Sequence, residues 1–202
     1  MQDHSVYWAY LAVALTVMGA LPYLWGIWCR RFRPHMFTWI VWTIMTAIAA
    51  GGQVVGGAGA GAWALLLTTA YCAIVLIASF KYGEKNITRS DWYFLIGGLS
   101  AIPLWAFTSD PTWAVVLVTL IDLSAYGPTI RKSWHKPWEE GLLAYLAGVG
   151  KHMATILAIA HYNIATSLFT VALLGANITM VTVLAGRRIY LKSQSAVPVQ
   201  QE

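Results

Sequence analysis

The sequence predicts an all-α integral membrane protein with seven transmembrane helices, and three observations lead to this prediction. The composition is strongly apolar, since 58% of the 202 residues are hydrophobic and only 10% are charged, against roughly 25% charged residues in an average soluble domain. The chain divides into seven long apolar runs, and its basic residues alternate between the connecting loops. Seven spans of about 20 residues use about 140 residues. This leaves no room for a soluble catalytic domain, so we predict that the protein is not an enzyme.

The seven apolar runs are separated by charged residues or by clusters of glycine and proline, which mark loops. They extend over residues 7–28, 36–55, 62–80, 91–108, 112–130, 141–160 and 165–186. Each run is close to the length that a helix needs to cross the hydrocarbon core of a bilayer. We therefore expect a multi-pass protein of the cell membrane whose main partner is the lipid bilayer.

The distribution of basic residues predicts the orientation. Twelve of the thirteen lie in the first, third and fifth loops and in the C-terminal tail: Arg30, Arg31, Arg33, Lys81, Lys85, Arg89, Arg131, Lys132, Lys136, Arg187, Arg188 and Lys192. The N-terminus and the other three loops carry none. Because cytoplasmic loops retain lysine and arginine, the N-terminus is predicted outside and the C-terminus in the cytoplasm. The net charge of +5 thus reports topology and does not indicate a nucleic-acid partner.

An internal repeat is predicted from the same pattern. A shift of 103 residues superposes Tyr23 on Tyr126, Ile27 on Ile130, Pro34 on Pro137 and Trp42 on Tyr145. Since an odd number of spans separates the halves, the two repeats are parallel, as in one common transporter architecture. We assign residues 1–80 to a first three-helix repeat, 81–111 to a linker with the fourth span, 112–188 to a second repeat and 189–202 to a cytoplasmic tail.

Two segments resemble the loop that defines a known transporter superfamily. Residues 128–148, PTIRKSWHKPWEEGLLAYLAG, look like a PQ-loop, and residues 21–39, LPYLWGIWCRRFRPHMFTW, are a looser version of it. With the three-one-three layout, the chain is similar to the PQ-loop and SWEET (MtN3) superfamily. The Pro-Gln dipeptide itself is replaced by Pro22-Tyr23 and by Pro128-Thr129. The resemblance implies alternating access, gating around these prolines and a solute contact at Asn177.

Asp122 and Lys151 are the ionisable residues placed deepest in the predicted spans. Each lies ten residues from the start of its span, which is roughly 15 Å of helix, so both are expected near the midplane. A charge at this depth is costly, and we expect the two to face the bundle interior and to pair with each other or with a proton. They are predicted to act in coupling or gating; a static ion pair between the fifth and sixth spans is the alternative.

Polar and aromatic residues at helical spacing predict a solute-binding stripe that faces inward. The candidates for solute binding are Trp42, Thr46, Tyr71, Thr170 and Asn177, and those for gating are Tyr126, Pro22 and Pro128. Their amide, hydroxyl and aromatic groups would suit a neutral polyol-like solute. Ordinary helix packing explains each of them singly.

Three functions remain open at this point. The first is a transporter that moves a small polar solute, sugar-like or another small metabolite, between two three-helix bundles. The second is a seven-helix retinal protein with a Schiff base at Lys151 and Asp122 as its counter-ion. The third is a membrane sensor or assembly factor that transports nothing. No cofactor or metal site is predicted for the transporter, and a homo-oligomer is compatible with the sequence.

Overall fold

The structure, a computed structural model, describes residues 2–30, 34, 36–83, 89–135, 137–139 and 141–195. It contains these α-helices: α1 Gln2–Trp28, α2 Met36–Val55, α3 Trp63–Tyr82, α4 Arg89–Thr108, α5 Pro111–His135, α6 Leu142–Ala158 and α7 Ile164–Ser195. Short 3₁₀ helices cover Gly59–Ala62 and Pro137–Glu139. The described residues form no β-strand, so the prediction of an all-helical chain is confirmed for them.

Several helices continue beyond the apolar runs that predicted them. Helix α5 ends at His135 and α7 at Ser195, whereas the apolar runs end at residues 130 and 186. Lysine and arginine are good helix formers, so the backbone continues where hydropathy falls. The boundary predicted at 188/189 therefore lies within α7, and residues 84–88 and 196–202 of the predicted linker and tail lie outside the described residues.

Four helical segments of the described chain are long and apolar enough to cross a membrane. They are His4–Trp28, Thr38–Val55, Gly59–Tyr82 and Ile164–Gln194. Shorter apolar segments lie in the other three helices, at Leu99–Thr108, Pro111–Ser124 and Leu142–Ala158. These lengths and compositions are those of an α-helical membrane protein.

The exposed surface of the helices is also apolar. Large hydrophobic side chains are exposed on every one of them, for example Met18, Val54, Ile77, Phe107, Leu120, Leu143 and Ile178. Soluble monomers rarely expose contiguous apolar patches larger than a few hundred Å². A surface of this kind is suited to lipid.

The helices pack in the same order in the two halves of the chain. Helix α3 contacts both α1 and α2, and α7 contacts both α5 and α6. Between the halves, α1 packs on α6, and α2 packs on α5 and α7. Helix α4 lies against α5 and α2. The first three helices and the last three are therefore two groups that face each other.

Basic side chains gather at one end of these groups, which we call the basic end. The Arg30 guanidinium lies 5.9 Å from the Tyr82 ring, at the carboxyl ends of α1 and α3. The Arg187 guanidinium lies 4.8 Å from the Trp134 ring, at the carboxyl ends of α7 and α5. Arg31, Arg33, Lys85 and Lys136 lie outside the described residues.

The α2–α3 and α6–α7 connections meet at the other end, which we call the opposite end. The Ala160 N–H donates to the Ala58 carbonyl at 3.0 Å, and the Asn163 Nδ2 donates to the Gly56 carbonyl at 2.8 Å. Gly57, with φ of +83°, turns the chain into this contact, a conformation that glycine adopts without strain. The two halves are thus hydrogen-bonded to each other here.

Buried apolar packing joins the halves toward the same opposite end. One core cluster brings Met45 and Ile48 of α2 against Val115 and Val118 of α5 and Phe169 of α7. At the basic end, by contrast, Ile27, Trp39, Cys72 and Val75 form a cluster within the first three helices, with Tyr23 and Tyr82 packed against it. The core cluster that joins α2 to α5 and α7 therefore lies off-centre.

Candidate functional site

A cavity of about 410 Å³ lies between the two groups of helices. Such a volume is in the range of small-molecule sites, about 300 to 1,000 Å³. The first three helices contribute Trp39, Trp42, Thr46, Leu65, Thr68, Tyr71 and Cys72, and the last three contribute Asp122, Tyr126, Thr129, Tyr145, Lys151, His152, Phe169 and Leu173. Six of the predicted site residues therefore meet in one space: Trp42, Thr46, Tyr71, Asp122, Tyr126 and Lys151.

Aromatic rings form one wall of this cavity. The Trp39 ring packs edge to face against Trp42, with 5.1 Å between centroids, and against Tyr71 at 5.5 Å. Tyr23 packs behind them, 5.5 Å from Trp39 and 6.5 Å from Tyr71. Edge-to-face contacts of this kind hold rings in defined orientations, so the wall is a preformed aromatic surface.

The Lys151 ammonium faces a hydroxyl across the cavity. Its Nζ donates to the Thr68 Oγ1 at 3.3 Å. Thr68 in turn donates its proton to the Ala64 carbonyl at 2.7 Å, so it offers Lys151 a lone pair. An ammonium has three N–H donors, and one neutral acceptor does not neutralise its charge.

The Asp122 carboxylate lines the same cavity. Within the part of the chain that the structure describes, it forms no hydrogen bond and no ion pair, with Lys151 or any other residue. Tyr126, one helical turn further along α5, also lines the cavity. The expected direct pairing of Asp122 with Lys151 is thus absent from the structure, although both face the predicted interior.

The threonine hydroxyls in the wall are oriented by their own helices. Thr46 donates to the Trp42 carbonyl at 2.7 Å, as Thr68 does to Ala64. Because each proton is bound to the backbone, the hydroxyl oxygens present acceptors to the cavity. The aromatic wall of the first three helices therefore carries hydrogen-bond acceptors at two positions.

A second, smaller cavity of about 190 Å³ lies between α1 and α6. It is lined by Thr16 and Gly19 of α1 and by small residues of α6, and it shares Thr68, Tyr71 and Lys151 with the central cavity. These three side chains separate the two spaces. The central cavity has the larger volume and holds Asp122.

Asn177 and Thr170 do not line this cavity, so their predicted contact with a solute stays a prediction. The Asn177 Nδ2 donates to the Leu173 carbonyl at 2.7 Å, and its amide packs against Gly148 and interacts with Tyr126. It therefore supports the wall from behind. Thr170 accepts a hydrogen bond from the Gln53 Nε2 at 2.9 Å.

Gln53 links α2 to α7 toward the opposite end of the two groups. Its side chain is fully buried, and its Nε2 also donates to the Thr166 carbonyl at 3.0 Å. Gly52 permits this contact, since a Cβ there would overlap the Val115 side chain. Helix α2 thereby approaches α5 and α7 more closely than a larger residue would allow.

The two prolines predicted to gate lie in continuous helices. Pro22 lies within α1 and is exposed, so it does not line the cavity. The backbone of Pro128 lies within α5, while its side chain is outside what the structure describes. Their part in gating stays a prediction.

Trp39, Tyr145 and His152 line the cavity but were not among the site residues predicted from sequence. The internal repeat could have identified Tyr145, because the 103-residue shift superposes it on Trp42. Both residues line the same cavity. Trp39 precedes Trp42 by three residues on one helix face. His152 follows Lys151 about 100° round the helix, within the polar stripe that the sequence predicts for the sixth span.

No family model, no curated protein and no solved structure matches the chain. The described residues contain no group of three or more histidine, cysteine, aspartate or glutamate side chains that could hold a metal ion.

Proposed function

We propose that the protein is a transporter that moves a small polar solute across the cell membrane by alternating access between α1–α3 and α5–α7. The observation that carries this proposal is the cavity between the two groups, because it contains both of the deepest charges, Asp122 and Lys151. Transporters built from parallel repeats bind their solute where the repeats meet. The matched packing order, α3 between its neighbours and α7 between its own, supports a seven-span arrangement of three, one and three helices.

The off-centre packing supports an inward-facing state. Apolar contacts and the Gln53 hydrogen bonds join the groups at the opposite end, while the cavity includes Trp39 and Tyr145, which lie one turn from the basic ends of α2 and α6. The positive-inside rule places the basic end in the cytoplasm. The solute then enters the cavity from the cytoplasm. Separation of the two groups of helices at the opposite end would complete the transport cycle. This transport cycle is the one that the resemblance to the PQ-loop and SWEET superfamily implies.

The test is solute uptake by vesicles that contain the purified protein. We expect time-dependent uptake of at least one solute from a panel of sugars, polyols, amino acids and organic acids. Trp42→Ala should reduce this uptake at least about tenfold, because it removes part of the aromatic wall. Trp113→Ala is the matched control, since Trp113 is exposed and lies outside the cavity. Absence of flux for the whole panel with folded protein would overturn the proposal.

A retinal protein is the second candidate, and the favouring observation is the amine of Lys151 in an aromatic-lined cavity that also holds Asp122. A Schiff base at Lys151 would have Asp122 as its counter-ion. Addition of retinal should then produce a visible absorption band that Lys151→Met abolishes. An unchanged spectrum eliminates this candidate and leaves the transporter.

A further inference from the structure

We infer that the central cavity recognises a zwitterionic solute, with its carboxylate at Lys151 and its ammonium at Asp122. This inference rests on the proposed transport function and names the class of solute. It starts from the two opposite charges that line one cavity without forming an ion pair. Opposite charges in a membrane interior ordinarily pair, because an isolated charge there is costly.

The Lys151 ammonium has N–H donors that its present partner, Thr68, does not accept. One of its three N–H donors is bound by the neutral Thr68 hydroxyl. A solute carboxylate would accept the remaining donors and neutralise the charge in charge-assisted hydrogen bonds, which are the stronger kind.

Asp122 and its neighbours are correspondingly suited to an ammonium. The carboxylate accepts no hydrogen bond from the described residues, so its lone pairs remain for N–H donors. Tyr126 and Tyr145 line the same cavity, and aromatic faces attract cations. Thr46 adds a hydroxyl acceptor, because its own proton is bound to the Trp42 carbonyl.

The sum of the formal charges of the cavity side chains and the solute distinguishes a zwitterion from other solute classes. With His152 neutral, the charges of Asp122 and Lys151 give the cavity wall a formal charge of zero. A zwitterion keeps that sum at zero and pairs both side chains. A singly charged solute pairs one side chain and leaves the other uncompensated, and a neutral polyol pairs neither charge. The electrostatic match is therefore best for an amino-acid-like solute.

The experiment compares the binding of four probes that share a phenylalkyl skeleton. It uses the purified full chain in lipid nanodiscs. Phenylalanine carries both charges, phenethylamine the ammonium, 3-phenylpropanoate the carboxylate and 3-phenylpropan-1-ol neither. We expect phenylalanine to bind at least about tenfold more tightly than the other three. The leucine series, with isopentylamine and 4-methylpentanoate, repeats the comparison with a smaller, aliphatic group in place of the phenyl ring.

Two variants should change the ranking in opposite directions. Lys151→Met leaves Asp122 alone, so phenethylamine should bind as tightly as phenylalanine or more tightly. Asp122→Asn leaves Lys151 alone, so 3-phenylpropanoate should gain in the same way. Asp110→Asn and Lys81→Met make the same chemical changes outside the cavity, and they should keep the wild-type ranking.

The wild-type ranking decides the inference even where a variant does not fold. Equal or tighter binding of a singly charged or neutral probe, in both series, overturns it. Uptake of polyols together with no uptake of any neutral amino acid also overturns it while leaving the transporter intact. Absence of uptake for every solute class instead overturns the proposed function.

Discussion

At the scale of the residue, Gly148 determines how closely α6 packs on α7. A Cβ at this position would overlap the side-chain amide of Asn177, which is itself bound to the Leu173 carbonyl. Asn177 also contacts Tyr126, whose ring lines the cavity. The lack of a side chain at Gly148 therefore affects the position of this ring through Asn177.

Gly148→Ala should therefore destabilise the protein, by about 1 to 3 kcal/mol, the usual cost of overpacking. Gly175→Ala is the matched control, because nothing lies within 4 Å of a Cβ built there. Alanine favours a helix over glycine by roughly 0.5 to 1 kcal/mol, so the control should be neutral or stabilising. Thermal unfolding in detergent measures both, and equal effects of the two changes would contradict this packing.

Asp110 is the N-cap of α5, and Pro111 occupies the first helical position, as is common. The Thr112 N–H donates to the Asp110 Oδ1 at 2.8 Å. This backbone hydrogen bond, together with one from the Thr112 side chain, lowers the pKa of Asp110 below its ordinary value. The stabilisation is thus complete above the ordinary aspartate pKa of about 3.9 and is lost as the pH falls through the lowered folded pKa.

Asp110→Ala should accordingly lower the unfolding temperature slightly at pH 7, and its difference from the wild type should shrink as the pH falls below 4, roughly the ordinary aspartate pKa. Asp110→Asn keeps an uncharged acceptor for the helix and should lack this component of the pH dependence. Unfolding curves between pH 7 and pH 3 check the sign. A difference that grows toward low pH would show that the carboxylate does not act as a cap.

At the scale of the element, the side-chain amide of Gln53 joins α2 to α7 across the two halves. Gln53 donates to the Thr170 hydroxyl and to the Thr166 carbonyl, while its Oε1 is buried without a partner. A buried amide with one unsatisfied atom depends on the bonds that it does make.

Thr170→Val should weaken this contact, because it keeps the branched shape and removes the acceptor of Gln53. A buried donor left unsatisfied costs about 1 to 3 kcal/mol, and chemical denaturation in detergent should show a loss of this size. Thr170→Ser retains the hydroxyl and should lose much less. If the valine and serine variants were equally stable, the hydrogen bond would have no net contribution.

At the scale of the whole molecule, Cys72 reports access to the cavity. It is buried and lines the central space, and the chain has only one other cysteine, Cys29. In a Cys29→Ser protein, every thiol reaction therefore occurs at the cavity wall.

A small charged methanethiosulfonate should modify Cys72 faster from the side of the basic loops than from the other side, by at least about tenfold. The physical reason is that buried apolar contacts join the two groups toward the opposite end. Oriented vesicles and mass spectrometry measure the two rates, and a protein lacking both cysteines is the blank. Faster reaction from the opposite side would reverse the proposed direction of access.

The sequence by itself determined the helical class, the apolar surface and the placement of two charges inside the bundle. These follow from composition and from the 3.6-residue period, which are local properties of the chain. The same period brought Trp42, Thr46 and Tyr71 to an inward face, and the structure places all three in one cavity.

Only the tertiary structure decided which inward residues line the cavity and which pack behind it. An inward stripe covers about 100° of a helix, so on α7 it includes both Leu173 in the wall and Asn177 behind it. Thr170 faces inward too, but Gln53 of another helix occupies its hydroxyl. The separation of Asp122 from Lys151 likewise depends on how α5 and α6 each pack on α7. Helix period gives each residue a direction, whereas distance across a bundle depends on the packing of every helix at once.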